Sequence, residues 1–218
     1  MSDSILSSFE NLPYFTIAGF RQMAGDSISS DHSARVALAR RVKAGHILRL
    51  KNGVYMHHRF YERHRQDAAF SAIISAILLP QSYLSLEYVL QQNGILTEIT
   101  YPITAITTKN THVIDNAAGD FVYRHIRPEL YRGFHIAEAY GIPYAQATLA
   151  KALFDYLYLR PLGTRASPTS LSLAGELRLN LDDFTSQECD EFAGYVAISG
   201  KPKMRNILTN LEKYVWRP

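Results

Sequence analysis

The segment SDHSARVALARRVKAGHILRLKNGVYM, residues 30–56, joins a helical pattern to a β pattern. Apolar residues recur at helical spacing in its first half and predict a helix over residues 31–44. Ser29 or Ser30 is expected to be the N-cap, because a serine hydroxyl accepts a hydrogen bond from the first turn, and Gly45 is expected to end the helix. The second half is aliphatic and aromatic, and it predicts a short hairpin.

Asn52 and Gly53 determine where the hairpin turns. An Asn-Gly pair tolerates the two positive φ angles of a type I′ turn, so that turn type is expected here. Two short helices are predicted upstream, one over residues 4–12 and one that follows Thr16 and ends at Gly25. Helices followed directly by a hairpin are the element order of a winged helix-turn-helix. The upstream residues expected to face the core are Ile5, Leu6, Phe9, Leu12, Ile17, Phe20 and Met23.

A helical wheel of residues 31–44 separates an apolar stripe from a polar and basic side. Arg41 falls on the apolar stripe. Two explanations remain open: the Arg41 side chain extends along the stripe and carries its charge to water, or the helix phase differs slightly from the predicted one. The stripe assigned to the core consists of Ala34, Ala37, Leu38 and Val42.

Basic charge is concentrated near the N-terminus. The chain has 218 residues and a formal net charge of +3. Residues 1–65 carry ten Lys and Arg against five Asp and Glu, whereas residues 66–218 carry thirteen against fifteen. A local positive region favours a polyanion-binding site over general adhesion to anions. A basic surface that only keeps the protein in solution is the competing interpretation.

The geometry of a winged helix suits duplex DNA, so the basic side of the helix and the hairpin are candidate contacts. Arginine donates two hydrogen bonds to guanine, serines near a helix start donate to phosphate, and hairpin residues hold the DNA backbone. A winged helix used only for protein contacts is the alternative. The candidate DNA-binding residues are Ser30, His32, Ser33, Arg35, Arg40, Lys43, Arg49, Lys51 and Asn52.

The predicted fold class is α+β, with a winged helix-turn-helix domain over residues 1–62 and a larger mixed domain over residues 63–218. In the second domain, Ser85 is expected to cap a helix, because no Gly-x-Ser-x-Gly elbow marks it as a nucleophile. Lys151 and Asp155 predict an i, i+4 ion pair at the surface or half-buried. Further helices are expected over residues 67–79, 82–92, 145–159 and from 176 onward, and strands over 100–108, 111–115, 121–127 and 133–140.

Several kinds of chemistry are not expected. Cys189 is the one cysteine, so neither an intrachain disulfide nor a Cys-based zinc site is predicted. His58 and His64 are six positions apart, which fits no simple helical ligand spacing, and no Cys or acidic cluster joins them and His57. The three histidines are therefore assigned to an interdomain segment rather than to a metal site. Without paired carboxylates, an activated nucleophile or a glycine-rich phosphate loop, the sequence predicts no catalytic residue, no cofactor and no enzyme.

The N-terminus lacks the pattern of a secretory signal, and the apolar run over residues 68–79 is too short to span a bilayer. A cytoplasmic protein without a membrane partner is therefore expected.

Several segments, taken in order, resemble the AbiEi-type antitoxin family of abortive-infection toxin–antitoxin systems. The matching segments are residues 42–55, 82–90, 93–95, 106–109, 119–126, 147–148 and 151–155. The family often has Pro-Glu where this chain has Leu149 and Ala150, and Leu where it has Arg41.

The resemblance implies a DNA-binding repressor of its own operon, whose neighbouring gene encodes a nucleotidyltransferase-like toxin. An operator with repeated half-sites, and hence self-association on DNA, is expected. The alternative from another class is a protein-interaction module that binds a partner toxin through its C-terminal domain, with DNA binding as an accessory activity.

Overall fold

The computed structural model describes residues 2–97, 102–162 and 172–216. The helices of these ranges are α1 (Ser2–Ser7), α2 (Ile17–Ala24), α3 (Asp31–Lys43), α4 (His58–His64), α5 (Phe70–Leu78), α6 (Glu87–Gln92), α7 (Leu149–Leu159), α8 (Leu173–Leu177), α9 (Ser186–Ser199) and α10 (Pro202–Tyr214). The strands are β1 (Phe15–Thr16), β2 (Ile47–Lys51), β3 (Val54–His57), β4 (Ser82–Leu84), β5 (Ile103–Thr107), β6 (His112–Asn116), β7 (Gly119–His125), β8 (Phe134–Ala139) and β9 (Ile142–Ala147). The predicted α+β class is confirmed.

The chain divides into two compact units. The first contains the chain up to Pro80 together with Ile114–Asp120 and Glu138–Tyr144, and the second contains the remainder. The domain boundary predicted between residues 62 and 63 falls inside α4 of the first unit. Residues 63–80 join the first unit because α5 packs on β2, and the Lys51 ammonium on β2 donates to the α5 carbonyl of Ile77 at 2.7 Å.

In the first unit the elements follow the order α1, β1, α2, α3, β2, β3. The strands form an antiparallel sheet in the order β1-β3-β2, with Phe15 opposite Tyr55. The rings of Phe9 and Phe15 stack with centroids 4.3 Å apart, and Phe20 is fully buried beside them. This aromatic core joins α1, α2 and the sheet. Its other buried members are Leu6, Ile17, Ala34, Leu38 and Ile47.

The upstream helices differ from prediction in their extent. Helix α1 ends at Ser7 rather than at Leu12, and the chain then continues in short turns. Leu12 and Met23, both expected to face the core, are 45% and 52% exposed. Helix α2 buries Ile17, Phe20 and Ala24 instead of Met23, and Leu12 lies in the turns that follow α1. The second helix is as predicted: Gly25, with φ of 54°, ends it.

Helix α4 was not predicted, and α5 begins three residues later than expected. Phe60 anchors α4 because its ring is buried, and it lies edge-on to Tyr140 at 5.6 Å. The Asp67 carboxylate is hydrogen-bonded to His64, at 2.7 Å, and to the Tyr140 hydroxyl. These contacts hold residues 65–69 in turns, so the regular helix starts only at Phe70.

The larger sheet has the strand order β6-β7-β5-β4-β9-β8. Strand β5 is antiparallel to β4 and parallel to β7, and β4 is parallel to β9. Strand β4 and the last three residues of β9 were predicted as parts of the helices over residues 82–92 and 145–159. All three residues of β4 are buried, and a three-residue segment buried on both faces has no period that separates strand from helix. Residues 100 and 101 of the predicted strand over 100–108 lie outside the described residues.

The C-terminal helices agree with the expectation that the chain is mostly helical from residue 176. Thr185 and Glu188 form a capping box at the start of α9, and Gly200 ends that helix in the left-handed conformation. Pro202 occupies the first turn of α10, as predicted.

Candidate nucleic-acid interface

The helix α3 begins at one of the two predicted caps. Ser30 has an extended backbone, and its Oγ accepts a hydrogen bond from the Ser33 backbone N–H at 3.1 Å. The hydroxyl oxygens of Ser30 and Ser33 are 2.9 Å apart. The acidic residue of this turn is neutralised, because Arg21 donates to Asp31 Oδ1 at 2.6 Å. The hydroxyls of Ser30 and Ser33 therefore lie at the start of α3, and the negative charge of Asp31 beside them is paired with Arg21.

The two sides of α3 differ as the helical wheel predicts. Ala34 and Leu38 are fully buried, and Ala37 and Val42 pack partly buried beside them. The opposite side is exposed along the whole helix. The candidate residues on this exposed side are His32, Ser33, Arg35, Arg40 and Lys43.

Arg41 is accommodated without a change in helix phase. Its guanidinium carbon lies 5.5 Å from the centre of the Phe20 ring, and its Nη1 donates to the Ala37 carbonyl at 3.0 Å. The Arg41 cation thus lies over an aromatic ring of the core and donates one hydrogen bond to its own helix. Arg41 belongs to the packing between α2 and α3 rather than to the exposed basic side.

The hairpin turn differs from the predicted type I′ turn. Gly53 has φ of 78°, but Asn52 is outside the left-handed region. The strand register shifts by a β-bulge between Arg49 and Lys51. One glycine in the left-handed conformation, together with a bulge, closes the hairpin without a second positive φ angle.

A side-chain contact joins α3 to the hairpin turn. Arg35 Nη1 donates to Asn52 Oδ1 at 3.3 Å, and both side chains are exposed. Arg49 is exposed on β2 of the same hairpin. The first unit thus brings Arg35 and Asn52 together although they are 17 positions apart in sequence.

Lys51 is the exception among the candidates. Its ammonium donates to the carbonyls of Ile77 and Leu78, at 2.7 and 2.9 Å, which are the last carbonyls of α5. A cation at a helix C-terminus stabilises the helix dipole and satisfies otherwise orphaned acceptors. Lys51 therefore has a structural role inside the first unit.

The arginines Arg59 and Arg63 of α4 also form hydrogen bonds within the first unit. Arg59 Nη1 contacts the Glu10 carboxylate at 3.0 and 3.1 Å, and Arg63 donates to Asn11 at 2.9 Å. These pairs fix α4 against the segment after α1. The partners lie about fifty positions apart, so no local sequence pattern signalled them.

The histidines near α4 have structural partners. His57 Nδ1 accepts from the Arg59 backbone N–H at 3.1 Å and so caps α4. Burial lowers the pKa of His57 below its usual value, which favours the neutral ring that this cap requires. Among the described residues, no group of three or more His, Cys, Asp or Glu side chains is arranged to hold a metal ion.

The second unit contains a buried polar cluster that the sequence interpretation missed. Lys151 and Asp155 are both fully buried, so the predicted surface or half-buried ion pair is wrong. The Lys151 ammonium donates to Asp155 Oδ1. The hydroxyls of Tyr83 and Ser85 donate to Asp155 Oδ2 at 2.9 and 2.8 Å. Ser85 is therefore a partner of Asp155 rather than the predicted helix cap.

Burial opposes both charges of this cluster. It raises the pKa of Asp155 and lowers the pKa of Lys151, while each group favours the charged form of the other. The ammonium also lies 5.1 to 5.5 Å from the centres of three aromatic rings, which stabilise a cation. Neither charged group is accessible to solvent, so the arrangement supports packing of β4 on α7 rather than contact with a substrate.

Comparison with family models and with curated proteins finds no match to this sequence. Within the described ranges, no helix combines the length and the apolar character needed to cross a membrane.

Proposed function

We propose that this protein binds duplex DNA through α3 and the β2–β3 hairpin and acts as a transcriptional repressor. The observation that carries the proposal is the Arg35–Asn52 contact, which joins an exposed basic helix to an exposed hairpin turn. The element order of the first unit, helices followed by a hairpin in a three-stranded sheet, supports the proposal of a winged helix-turn-helix.

In this proposal α3 enters the major groove. Its 13 residues span roughly 20 Å, and a major groove about 12 Å wide admits one helix. The exposed guanidinium groups of Arg35 and Arg40 are suited to guanine N7 and O6. Val36 lies between them on the same exposed side and is suited to the methyl group of thymine.

The phosphate contacts come from the two ends of this surface. Ser30 and Ser33 lie at the start of α3, where backbone N–H groups and the helix dipole favour an anion. Lys43, Arg49 and Asn52 neutralise or hold phosphates near the helix end and the hairpin. Lys51 is left out of this set, because α5 already accepts hydrogen bonds from its ammonium.

The resemblance to AbiEi-type antitoxins extends the proposal to a biological role. The protein would occlude the promoter of its own operon by self-association on repeated half-sites, and it would oppose a nucleotidyltransferase-like toxin. The support for this extension is the order of the resembling segments in the sequence, which run through both units.

A salt series tests the DNA-binding proposal. Binding of the purified protein is measured to a duplex from its own upstream region and to a shuffled duplex. We expect a Kd on the order of 10⁻⁸ M or tighter for the native duplex at physiological salt, and much weaker binding to the shuffled one. Replacing four basic residues together (Arg35→Gln, Arg40→Gln, Lys43→Gln and Arg49→Gln) is expected to weaken binding to the native duplex by roughly a hundredfold or more.

The matched control removes the same charge from the second unit. Lys109, Arg132, Lys201 and Arg205 are exposed there, and their four Gln substitutions leave α3 and the hairpin intact. The control is expected to bind the native duplex as the unmodified protein does. Native binding that survives the first set of changes, or is lost equally in both sets, would show that the interface lies elsewhere.

A second candidate function is binding of a protein partner at the edges of the larger sheet. Val113 on β6 and Ile136 on β8 are 63% and 65% exposed, and these strands form the two edges of the sheet. Exposed apolar residues on an edge strand suit an added strand from another protein. Val113→Lys and Ile136→Lys are expected to abolish capture of the neighbouring gene product and to leave DNA binding unchanged. Retained capture would exclude these edges.

A further inference from the structure

The second unit contains a cavity of about 290 Å³ that the DNA-binding proposal does not use. Its walls come from three places: Leu86 and Glu87 at the start of α6, Arg124 on β7, and Tyr156 and Arg160 near the end of α7. Volumes of this size lie at the small end of the range for ligand pockets, roughly 300–1,000 Å³. The cavity is therefore suited to a small molecule.

Two guanidinium groups line this cavity. Arg124 and Arg160 are exposed, and neither is in an ion pair with a carboxylate of the described residues. Arg160 Nη1 donates to the Tyr156 hydroxyl at 2.8 Å, and its guanidinium carbon lies 5.1 Å from the centre of that ring. The remaining donors of both groups are available for a planar oxyanion, which arginine binds through paired hydrogen bonds.

The wall formed by Leu86 is strained and held in place. Leu86 has φ of 60° and ψ of −141°, a conformation that is unfavourable for a non-glycine residue. The preceding residue, Ser85, is held by two hydrogen bonds. Its Oγ donates to Asp155, and its backbone carbonyl accepts from Thr104 Oγ1 at 2.8 Å. Thr104 also accepts from the Tyr88 N–H at 3.1 Å. Strain that surrounding contacts maintain is typical of pre-organised binding sites.

The opposite wall is anchored by the same buried cluster. Tyr156 follows Asp155 directly in α7, so the hydrogen bonds to Asp155 also set the position of Tyr156. The end of α7 is fixed by Lys203, whose ammonium donates to the Tyr158 and Arg160 carbonyls at 3.1 and 2.6 Å. Both walls of the cavity are thus fixed without a ligand.

We propose that this pocket binds a small molecule that carries a phosphoryl or carboxylate group for Arg124 and Arg160. Glu87 lines the same cavity and repels a second anion, so the ligand also carries a hydrogen-bond donor such as an ammonium group. The ligand class is therefore a small zwitterion or amino-substituted oxyanion. This site lies in the second unit and is independent of α3 and the hairpin.

The test uses the full chain, labelled with ¹⁵N, and three small probes. Phosphoethanolamine supplies a phosphoryl group and an ammonium, β-alanine supplies a carboxylate and an ammonium, and ethanolamine lacks an oxyanion. We expect saturable amide shifts at Glu87 and Arg160 with at least one of the first two probes and not with ethanolamine. The probe that binds identifies the oxyanion, and binding of both indicates a site that accepts either.

Variants assign the binding to the two arginines. Arg124→Gln with Arg160→Gln is expected to weaken binding by at least about tenfold, because charged hydrogen bonds are removed. Arg205→Gln removes an exposed arginine of α10 outside the cavity and is expected to leave affinity unchanged. Absence of saturable shifts with both oxyanion probes, equal binding of ethanolamine, or equal affinity of the double variant would overturn the proposal. The assay contains no DNA, so its failure is separate from failure of the proposed regulatory function.

Discussion

Asp155 joins three side chains from two distant parts of the sequence. Its carboxylate accepts from Tyr83 and Ser85 on one oxygen and from Lys151 on the other. The attraction between buried charges offsets their loss of hydration only when such partners are present. Removing one charge therefore leaves the other buried and unpaired.

Single and double variants of this pair are expected to differ in the size of their effect. Asp155→Leu alone and Lys151→Met alone should each lower the free energy of unfolding by about 3–5 kcal/mol, because each leaves a buried uncompensated charge. The double variant should cost less than either single variant, since an apolar pair needs no desolvation. Urea denaturation of the unmodified protein, the two single variants and the double variant measures these free energies of unfolding as a double-mutant cycle. Additive losses in the double variant would mean that the two charges are not coupled.

His57 makes stability depend on pH near neutrality. Burial lowers its pKa in the folded protein below the usual 6.5, so the unfolded chain binds the proton more readily. The contribution of the neutral ring is therefore complete above pH 6.5 and is lost as the pH falls below 6.5 towards the folded-state pKa. Protonation of Nδ1 also removes the acceptor that caps α4.

The His57 prediction is checked by unfolding at two pH values. Stability should fall between about pH 7.5 and about pH 5.5, and His57→Gln should reduce this fall because glutamine does not titrate in this range. His58→Gln is the neighbouring control, since His58 is exposed. An unchanged pH dependence in His57→Gln would assign the effect to other groups.

At the scale of the element, the β2–β3 hairpin separates two basic side chains, Arg49 and Lys51, that a regular strand would place on the same face. Arg49 and Lys51 were both expected to hold the DNA backbone because both lie on the hairpin, and residues two apart in a regular strand share a face. The bulge between them breaks this alternation, and Lys51 reaches the end of α5 while Arg49 stays exposed. The two bases therefore have different predicted effects.

Lys51→Gln and Arg49→Gln form a matched pair, because each removes one positive charge. Lys51→Gln should lower the free energy of unfolding by about 1–3 kcal/mol, because it removes charged hydrogen bonds to two helix carbonyls, and should leave DNA affinity nearly unchanged. Arg49→Gln should weaken DNA binding and leave stability nearly unchanged. Thermal unfolding and duplex titration measure both effects. The reverse pattern would restore Lys51 to the DNA interface.

Helix α3 and the hairpin were largely predictable because their signals are local. Ser30 and Gly45 bracket the helix in the sequence, and Gly53 marks the turn. Strand β4 was not predictable, because three buried residues carry no distinguishing period. Its identity depends on pairing with β5, where Ser82 lies opposite Thr107, a partner 25 positions away.

At the scale of the whole molecule, the charge is unevenly distributed while the net value is small. Residues 1–65 contain ten Lys and Arg and five Asp and Glu, and residues 66–218 have a slightly negative net charge. If the protein binds DNA as we propose, long-range attraction to DNA is expected to be directed to residues 1–65, and salt should weaken it steeply.

The slope of log K against log salt concentration measures this attraction. For each DNA phosphate that α3 or the hairpin no longer neutralises, the magnitude of the slope should fall by about 0.9. Arg49→Gln is expected to change the slope by that amount, and Arg205→Gln in the second unit should not change it. Equal slopes for the two variants would indicate that Arg49 does not contact phosphate.

By itself the sequence determined the α+β class, the limits of α3, the place of the hairpin and the basic character of the first 65 residues. These features depend on neighbours within a few positions, where periodicity, capping and composition act directly. Only the tertiary structure decided that Lys51 caps α5, that Lys151 and Asp155 are buried, and that Arg124 and Arg160 line one cavity. Those roles depend on partners far apart in sequence, because burial and charge pairing are set by what packs against a residue.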